Sequence, residues 1–119
     1  MMRDYIHVMD VAKAHVAALK YLDTCKEYRC EEINIGTGNG KSVLEMMKLF
    51  YSETGIDLDY RVGHVRPGDI ESSIAEVGKA LTLLGWSSVY TVGEAIRHAW
   101  KWRTSGAFES YRELVDQDA

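Results

Sequence analysis

Apolar positions recur along this chain in short stretches of two different periods. Tyr5 to Met9 alternates weakly, which predicts a strand or extended entry. Asp10 follows as an N-cap for a helix to about Leu22, with Val11, Ala14, Ala18 and Leu22 near one face and Lys13 and Lys20 toward water. Asp23 to Arg29 is polar and reads as a loop. Glu32 to Ile35 reads as a short strand running into Gly36-Thr37-Gly38-Asn39-Gly40-Lys41. Ser42 and Glu45 then form a capping box, and Val43, Met46, Met47 and Phe50 make an apolar stripe that ends near Gly55. Leu58, Tyr60 and Val62 alternate as a strand.

His64 to Ser73 is a polar loop holding the only proline. Val77, Ala80, Leu81 and Leu84 predict a two-turn helix stopped by Gly85, with Trp86 packing back on it. Thr91 and Glu94 form a second capping box, opening a helix with Val92, Ile96 and Ala99 inward and Trp100 and Trp102 flanking that stripe. The predicted organisation is one unit over 1–106 and an acidic tail over 107–119, frayed or continued as helix through Phe108, Tyr111 and Leu114. Short strands alternating with helices place the chain in the α/β class, as an α+β fragment with no complete Rossmann domain.

Composition narrows the function classes. A chain of 119 residues is one domain at most, well short of the roughly 250 needed for a cofactor-binding half plus a substrate half. No apolar run approaches the ~20 residues of a membrane span. A formal net charge of −4 offers no bulk attraction to nucleic acid, so any anion site is local. No signal-peptide pattern is visible at the N-terminus, and the cytoplasm is the default location. Cys25 and Cys30 lack the companions of a zinc site and read as reduced thiols. The four histidines, His7, His15, His64 and His98, show no ligand spacing, and no metal is expected.

Three features could carry chemistry. A strand, a glycine-rich turn and a helix N-terminus together resemble a phosphate cradle. Both standard signatures nevertheless fail. The glycine a P-loop needs six residues before its lysine is Ile35 here, and the glycines are spaced G-x-G-x-G instead of G-x-G-x-x-G. The plain reading is a tight turn with glycines at positive φ. Second, Arg66-Pro67-Gly68-Asp69 sets a guanidinium suited to a diphosphate three residues before a carboxylate suited to a sugar hydroxyl, although such a turn is commonly just solvated. Third, Arg3 and Tyr5 alternate on one side of an extended segment, a pairing as compatible with packing as with anion binding.

The run Arg3-Asp4-Tyr5-Ile6-His7-Val8-Met9-Asp10, then Asn34-Ile35-Gly36-Thr37-Gly38 with Ser42-Val43-Leu44, Arg66-x-Gly68-Asp69 and Leu84-Gly85-Trp86 resemble, in order, the landmarks of UDP-glucose 4-epimerases. These are NAD-dependent enzymes of the extended short-chain dehydrogenase/reductase family. The resemblance covers about residues 3 to 104 and implies the C-terminal, substrate-binding part of such an enzyme. It implies that Arg3 and Arg66 bind the UDP diphosphate, Tyr5 lies beside the nucleotide, Val43 packs at the uracil end and Asp69 holds a ribose hydroxyl. Ser73 falls where members place a residue near the substrate, often Tyr or Cys, which leaves the choice of sugar open. Pro67 departs from the Arg-Arg-Glu-Gly-Asp form of many members.

The family's mechanism passes a hydride from the sugar C4 to NAD and back through a 4-keto intermediate, with a tyrosine as base and a lysine four residues on. No lysine here has tyrosine four positions before it, and the NAD loop is missing. No catalytic or cofactor-binding residue is therefore expected, and the chain alone is expected to be inactive. Two readings follow. The chain is the substrate-side part of an epimerase whose NAD-binding half lies elsewhere, or it is a stand-alone UDP-sugar-binding or interaction module. Surface left uncovered by a missing half would promote self-association.

Overall fold

The computed structural model describes residues 1–27 and 30–117. Arg29, the end of the predicted loop, and the side chain of Leu114 lie outside what is described. The elements in chain order are β1 (Met2–Arg3), α1 (Val8–Thr24), β2 (Lys41–Ser42), α2 (Val43–Thr54), β3 (Ser72–Ser73), α3 (Gly78–Leu84), α4 (Val92–Arg103) and α5 (Gly106–Gln117). β1 is the central strand of a three-stranded mixed sheet of order β2-β1-β3. It runs antiparallel to β2, with Met2 opposite Ser42 and Arg3 opposite Lys41, and parallel to β3, with Met2 opposite Ser72 and Arg3 opposite Ser73. Helices and one short sheet form an α/β arrangement without a complete Rossmann sheet among the described residues.

Helix boundaries set by local chemistry follow the sequence. Ser42 with Glu45 and Thr91 with Glu94 form reciprocal capping boxes, and Gly55 and Gly85 close α2 and α3 in the left-handed conformation at φ 72° and 60°. The start of α1 differs from expectation. His7 is the N-cap, its Nδ1 accepting from the Met9 N–H at 3.0 Å, so helix replaces the predicted strand from Val8 onward. Asp10 is instead fully buried in the first turn, where Oδ2 accepts from the N–H groups of Val89 at 3.0 Å and Tyr90 at 2.9 Å. A carboxylate near a helix N-terminus suits the dipole, and here it also satisfies two backbone donors of a distant segment.

The strands predicted at 32–35 and 58–62 do not form. Ile33 and Ile35 do turn inward onto the core as a strand pattern requires. The backbone of residues 32–36, however, makes no hydrogen bond among the described residues, and a strand needs a partner to exist. Leu58 and Tyr60 border a shallow pocket beside Leu44, Met47 and Tyr51 of α2, and Val62 is 90% exposed. The last two residues of the predicted 64–73 loop, by contrast, are β3.

The core is small. Ala14 of α1, Ala80 of α3 and Trp86 are buried, with Ile6, Ala17, Ile33, Ile35 and Leu84 packed around them. Trp86 folds back as expected, its N–H reaching the Ala80 carbonyl at 3.4 Å. α2 and α4 meet through Phe50 and Trp100, edge to face at 5.4 Å. The predicted inward stripe of α4, Val92, Ile96 and Ala99, lines an open groove with Tyr5, Met46 and Trp102 and not a closed core. Phe108 on α5 touches Trp102 at 6.3 Å between ring centroids.

The dimensions express this openness. The radius of gyration is 17.9 Å, where a compact chain of this length has about 13.5 Å. Accessible area is 9405 Å², against about 6,500 Å² for a folded monomer of this mass. Much of the excess is apolar, including Val16, Leu19 and Leu22 along α1.

Candidate functional site

The extended segment that enters α1 uses its alternate residues for opposite purposes. Met2 and Asp4 point toward the glycine turn, and Arg3 points away from it. The Asp4 carboxylate accepts from the N–H groups of Thr37 at 2.9 Å, Gly38 at 2.9 Å and Ala75 at 3.2 Å, and from the Thr37 hydroxyl. Burial pushes the Asp4 carboxyl up, but these four donors together outweigh it and hold the group below its ordinary value. One side chain thus ties the turn and the segment after β3 to the central strand.

This clamp explains the glycines. A Cβ on Gly36 would collide with the Asp4 carboxylate and with Ala75, and one on Gly40 would strike Ile74 at 2.6 Å. Gly38 alone of the three has positive φ, at 72°, so close approach rather than handedness accounts for the other two. The same geometry decides whether the turn can hold a dinucleotide. Its amides at Thr37 and Gly38 already face an anion, the chain's own Asp4, so the turn does not fit the pyrophosphate of NAD. No step of hydride transfer can be built on these residues.

Sequence reasoning missed Asp4. The available signal was a carboxylate out of phase with Arg3 and Tyr5 in an extended segment that precedes a glycine-rich turn.

Arg3 faces the other way and fastens the 64–73 loop. Its Nη1 donates to the carbonyls of Ile70 at 2.9 Å and Met2 at 2.7 Å. The strand register then sets Ser73 directly beside Arg3 on one flank and the β2 residues that lead into Val43 on the other. Arg3, Asp4, Asn34, Ser73 and Ala75 line a polar depression of about 350 Å³. Three predicted site segments, separated by some seventy positions of sequence, therefore converge on one two-residue strand.

Two predicted residues stand apart from that depression. Tyr5 lines the apolar groove with Met46, Ile96 and Trp102. Arg66 is engaged with its own loop: its Nη2 lies 3.3 Å from Asp69 Oδ1, its N–H donates to Asp69 Oδ2 at 3.2 Å, and Gly68 turns the chain between them at φ 88°. The Arg66 side chain is 80% exposed and Asp69 13%. Hydrogen bonds from the Arg66 side chain and backbone hold the Asp69 carboxyl below its ordinary value, aided by the charges of Arg66 and Arg3. Val43 is half exposed at the first turn of α2.

A second polar cluster fixes α1 to α4. Because His7 Nδ1 accepts from Met9, its proton sits on Nε2, which donates to His98 Nδ1 at 2.9 Å. Tyr90 stacks on His7 at 4.3 Å, and the Lys13 ammonium lies 4.9 Å from the centre of the Tyr90 ring. Among the described residues no three metal-binding side chains gather, and no helix is long and apolar enough to cross a membrane. The arrangement can bind and orient an anionic ligand; it contains no Tyr-x-x-x-Lys pair to move a proton.

No family model matches the chain. A UDP-glucose 4-epimerase of Cyamopsis tetragonoloba is 44% identical over 103 residues, 87% of this chain and 29% of that protein. A UDP-glucose 4-epimerase of Dictyostelium discoideum is 41% identical over 102 residues, 86% of this chain and again 29% of its own length. The crystal structure of UDP-glucose-4-epimerase from Stenotrophomonas maltophila with bound NAD and formylated UDP-arabinopyranose superposes with a TM-score of 0.80 at 38% identity, covering 99% of this chain and 32% of that one. The enzyme from Bifidobacterium longum in complex with NAD+ and UDP gives 0.80 at 37% identity, covering 89% and 31%. The chain spans about three tenths of the length of the curated relatives it matches. In sequence and in fold alike, the chain is similar to part of the length of UDP-glucose 4-epimerases.

Proposed function

We propose that this chain is the C-terminal, substrate-side portion of an NAD-dependent UDP-glucose/UDP-galactose 4-epimerase, and that it binds the UDP-sugar while a separate NAD-binding portion carries the chemistry. The observation that supports this most is the convergence of the three motif segments on β1. Arg3, Ser73 and the loop bearing Arg66 and Asp69 come together there through strand pairing and the bond from the Arg3 guanidinium to the Ile70 carbonyl. NAD, supplied by the other portion, would accept and return the sugar C4 hydride. This chain's residues bind and orient: Arg3 and Arg66 take the diphosphate, Asp69 a ribose hydroxyl, Val43 the uracil end, Tyr5 the nucleotide flank and Ser73 the sugar side.

Arg66 reaches a diphosphate by leaving Asp69, an exchange that an exposed ion pair opposes only weakly. That release also frees the Asp69 carboxylate for a hydroxyl donor. The open α4 groove and the excess surface support a working partner over a self-sufficient module, since small-ligand sites of this kind sit between domains. With the thiols of Cys25 and Cys30 free, the cytoplasm is the place of work we assign.

Calorimetric titration with UDP, with Arg66→Ala as control, tests the reading. Weak binding that the variant removes, and no interconversion of UDP-glucose and UDP-galactose even with NAD added, are expected. Binding at tens of micromolar or tighter would favour the stand-alone module; turnover by the chain alone would sink the proposal. The uncovered apolar surface further predicts self-association, which sedimentation velocity would reveal as species above the monomer mass. A single monomer boundary at high protein concentration would contradict it.

A further inference from the structure

The register of the small sheet sets a second cation beside Arg3. Directly opposed residues of an antiparallel pair share a face, with Cβ atoms about 5 Å apart, and Lys41 is the residue opposite Arg3. Ser73 stands opposite Arg3 on the other flank. Lys41, Arg3 and Ser73 thus form one row across three strands. The other row is Ser42, Met2 and Ser72, with the Met2 side chain against Gly40.

Like charges opposed on a sheet repel each other, and the carboxylates that feel this pair, Asp69 for Arg3 and Glu45 for Lys41, are each hydrogen-bonded to other partners. Arg3 donates to two backbone carbonyls, which carry no net charge. The Lys41 ammonium makes no hydrogen bond or ion pair among the described residues. Its nearest acidic influence is Glu45, whose carboxylate is occupied by the Ser42 N–H and hydroxyl in the capping box. The free amides that open α2 begin two residues further on and add positive potential to the same end of β2. A chain of net charge −4 therefore carries a cationic doublet next to the depression lined by Arg3, Asp4 and Ser73.

We infer that Lys41 is a further diphosphate ligand, its ammonium taking phosphate oxygens beside those held by Arg3. The inference rests on the nucleotide-sugar reading above. An ammonium is a point charge without the fork geometry of arginine, so it adds affinity for phosphate charge and no preference among sugars.

The test is an amide-shift titration of the whole chain with UDP and, separately, with uridine, comparing wild type, Lys41→Gln, Lys41→Arg and the surface control Lys48→Gln. Lys41→Gln is expected to weaken UDP roughly five- to tenfold at low salt, with the difference shrinking as salt rises. Uridine binding should be unchanged, Lys41→Arg should restore most of the loss, and Lys48→Gln should match wild type. Equal UDP affinity in Lys41→Gln and wild type overturns the role of Lys41 and leaves the nucleotide site standing. A folded wild-type chain with no UDP-dependent shift up to about 10 mM, and so with binding weaker than about −3 kcal/mol, removes the site and Lys41 together.

Discussion

The two loops that flank β1 serve the same proposed ligand and are held in opposite ways. The glycine turn at 36–40 is fastened by a single carboxylate that collects donors from Thr37, Gly38 and Ala75, and its glycines leave no room to move away. The 64–73 loop is paired to β1 at its end, and ahead of that its 66–70 turn is held by one Arg3 contact and an internal ion pair whose arginine faces water. One wall of the depression is therefore fixed before any ligand arrives, and the other is free to re-form around one. Rigid support on one side and an exchangeable arginine on the other is the division of labour expected of a site that must both place and release a nucleotide.

Asp4→Asn attacks the fixed wall most directly. The amide keeps the shape but turns an NH₂ toward donors and removes the charge, so a loss of about 2 kcal/mol in unfolding stability is expected, measured by urea titration. The wild-type clamp also has a pH signature. Because the Asp4 carboxyl titrates lower in the folded chain than unfolded, its stabilisation is complete above the ordinary carboxylate range, ~4, and is lost as pH falls through the lower folded value. Asp4→Asn should flatten that acid limb; an unchanged limb would mean the clamp contributes nothing.

Gly36→Ala should cost less, about 1–2 kcal/mol of strain as the added methyl displaces Asp4 or Ala75. If it is neutral, the turn is looser than the contacts indicate. Arg66→Ala on the free wall should leave the unfolding midpoint at the wild-type value while removing UDP binding, since an exposed pair adds little to stability. A large stability loss in that variant would erase the contrast between the walls.

The sequence was legible wherever cause and effect lie within one helical turn. Ser42 with Glu45, Thr91 with Glu94, Gly55 and Gly85 were all readable because a cap is completed by residues three or four positions away. Asp10 was misread for the opposite reason. As an isolated letter it is a good N-cap, but its actual donors, Val89 and Tyr90, lie some eighty residues on. Ile33 and Ile35 carried a strand pattern for which no pairing partner stands among the described residues. At the candidate site, the residue types came from a family resemblance. Their meeting at β1, and the neighbourly position of Lys41, came from a register that no local pattern encodes.

The segment from Glu32 to Gly36 illustrates how order and protection can part company. Its isoleucines are pinned to the core beside Trp86 while its backbone bonds to nothing described. Methyl groups there should report the stillness of a folded interior, and the amides a few bonds away should trade hydrogen for deuterium almost as fast as an unstructured peptide.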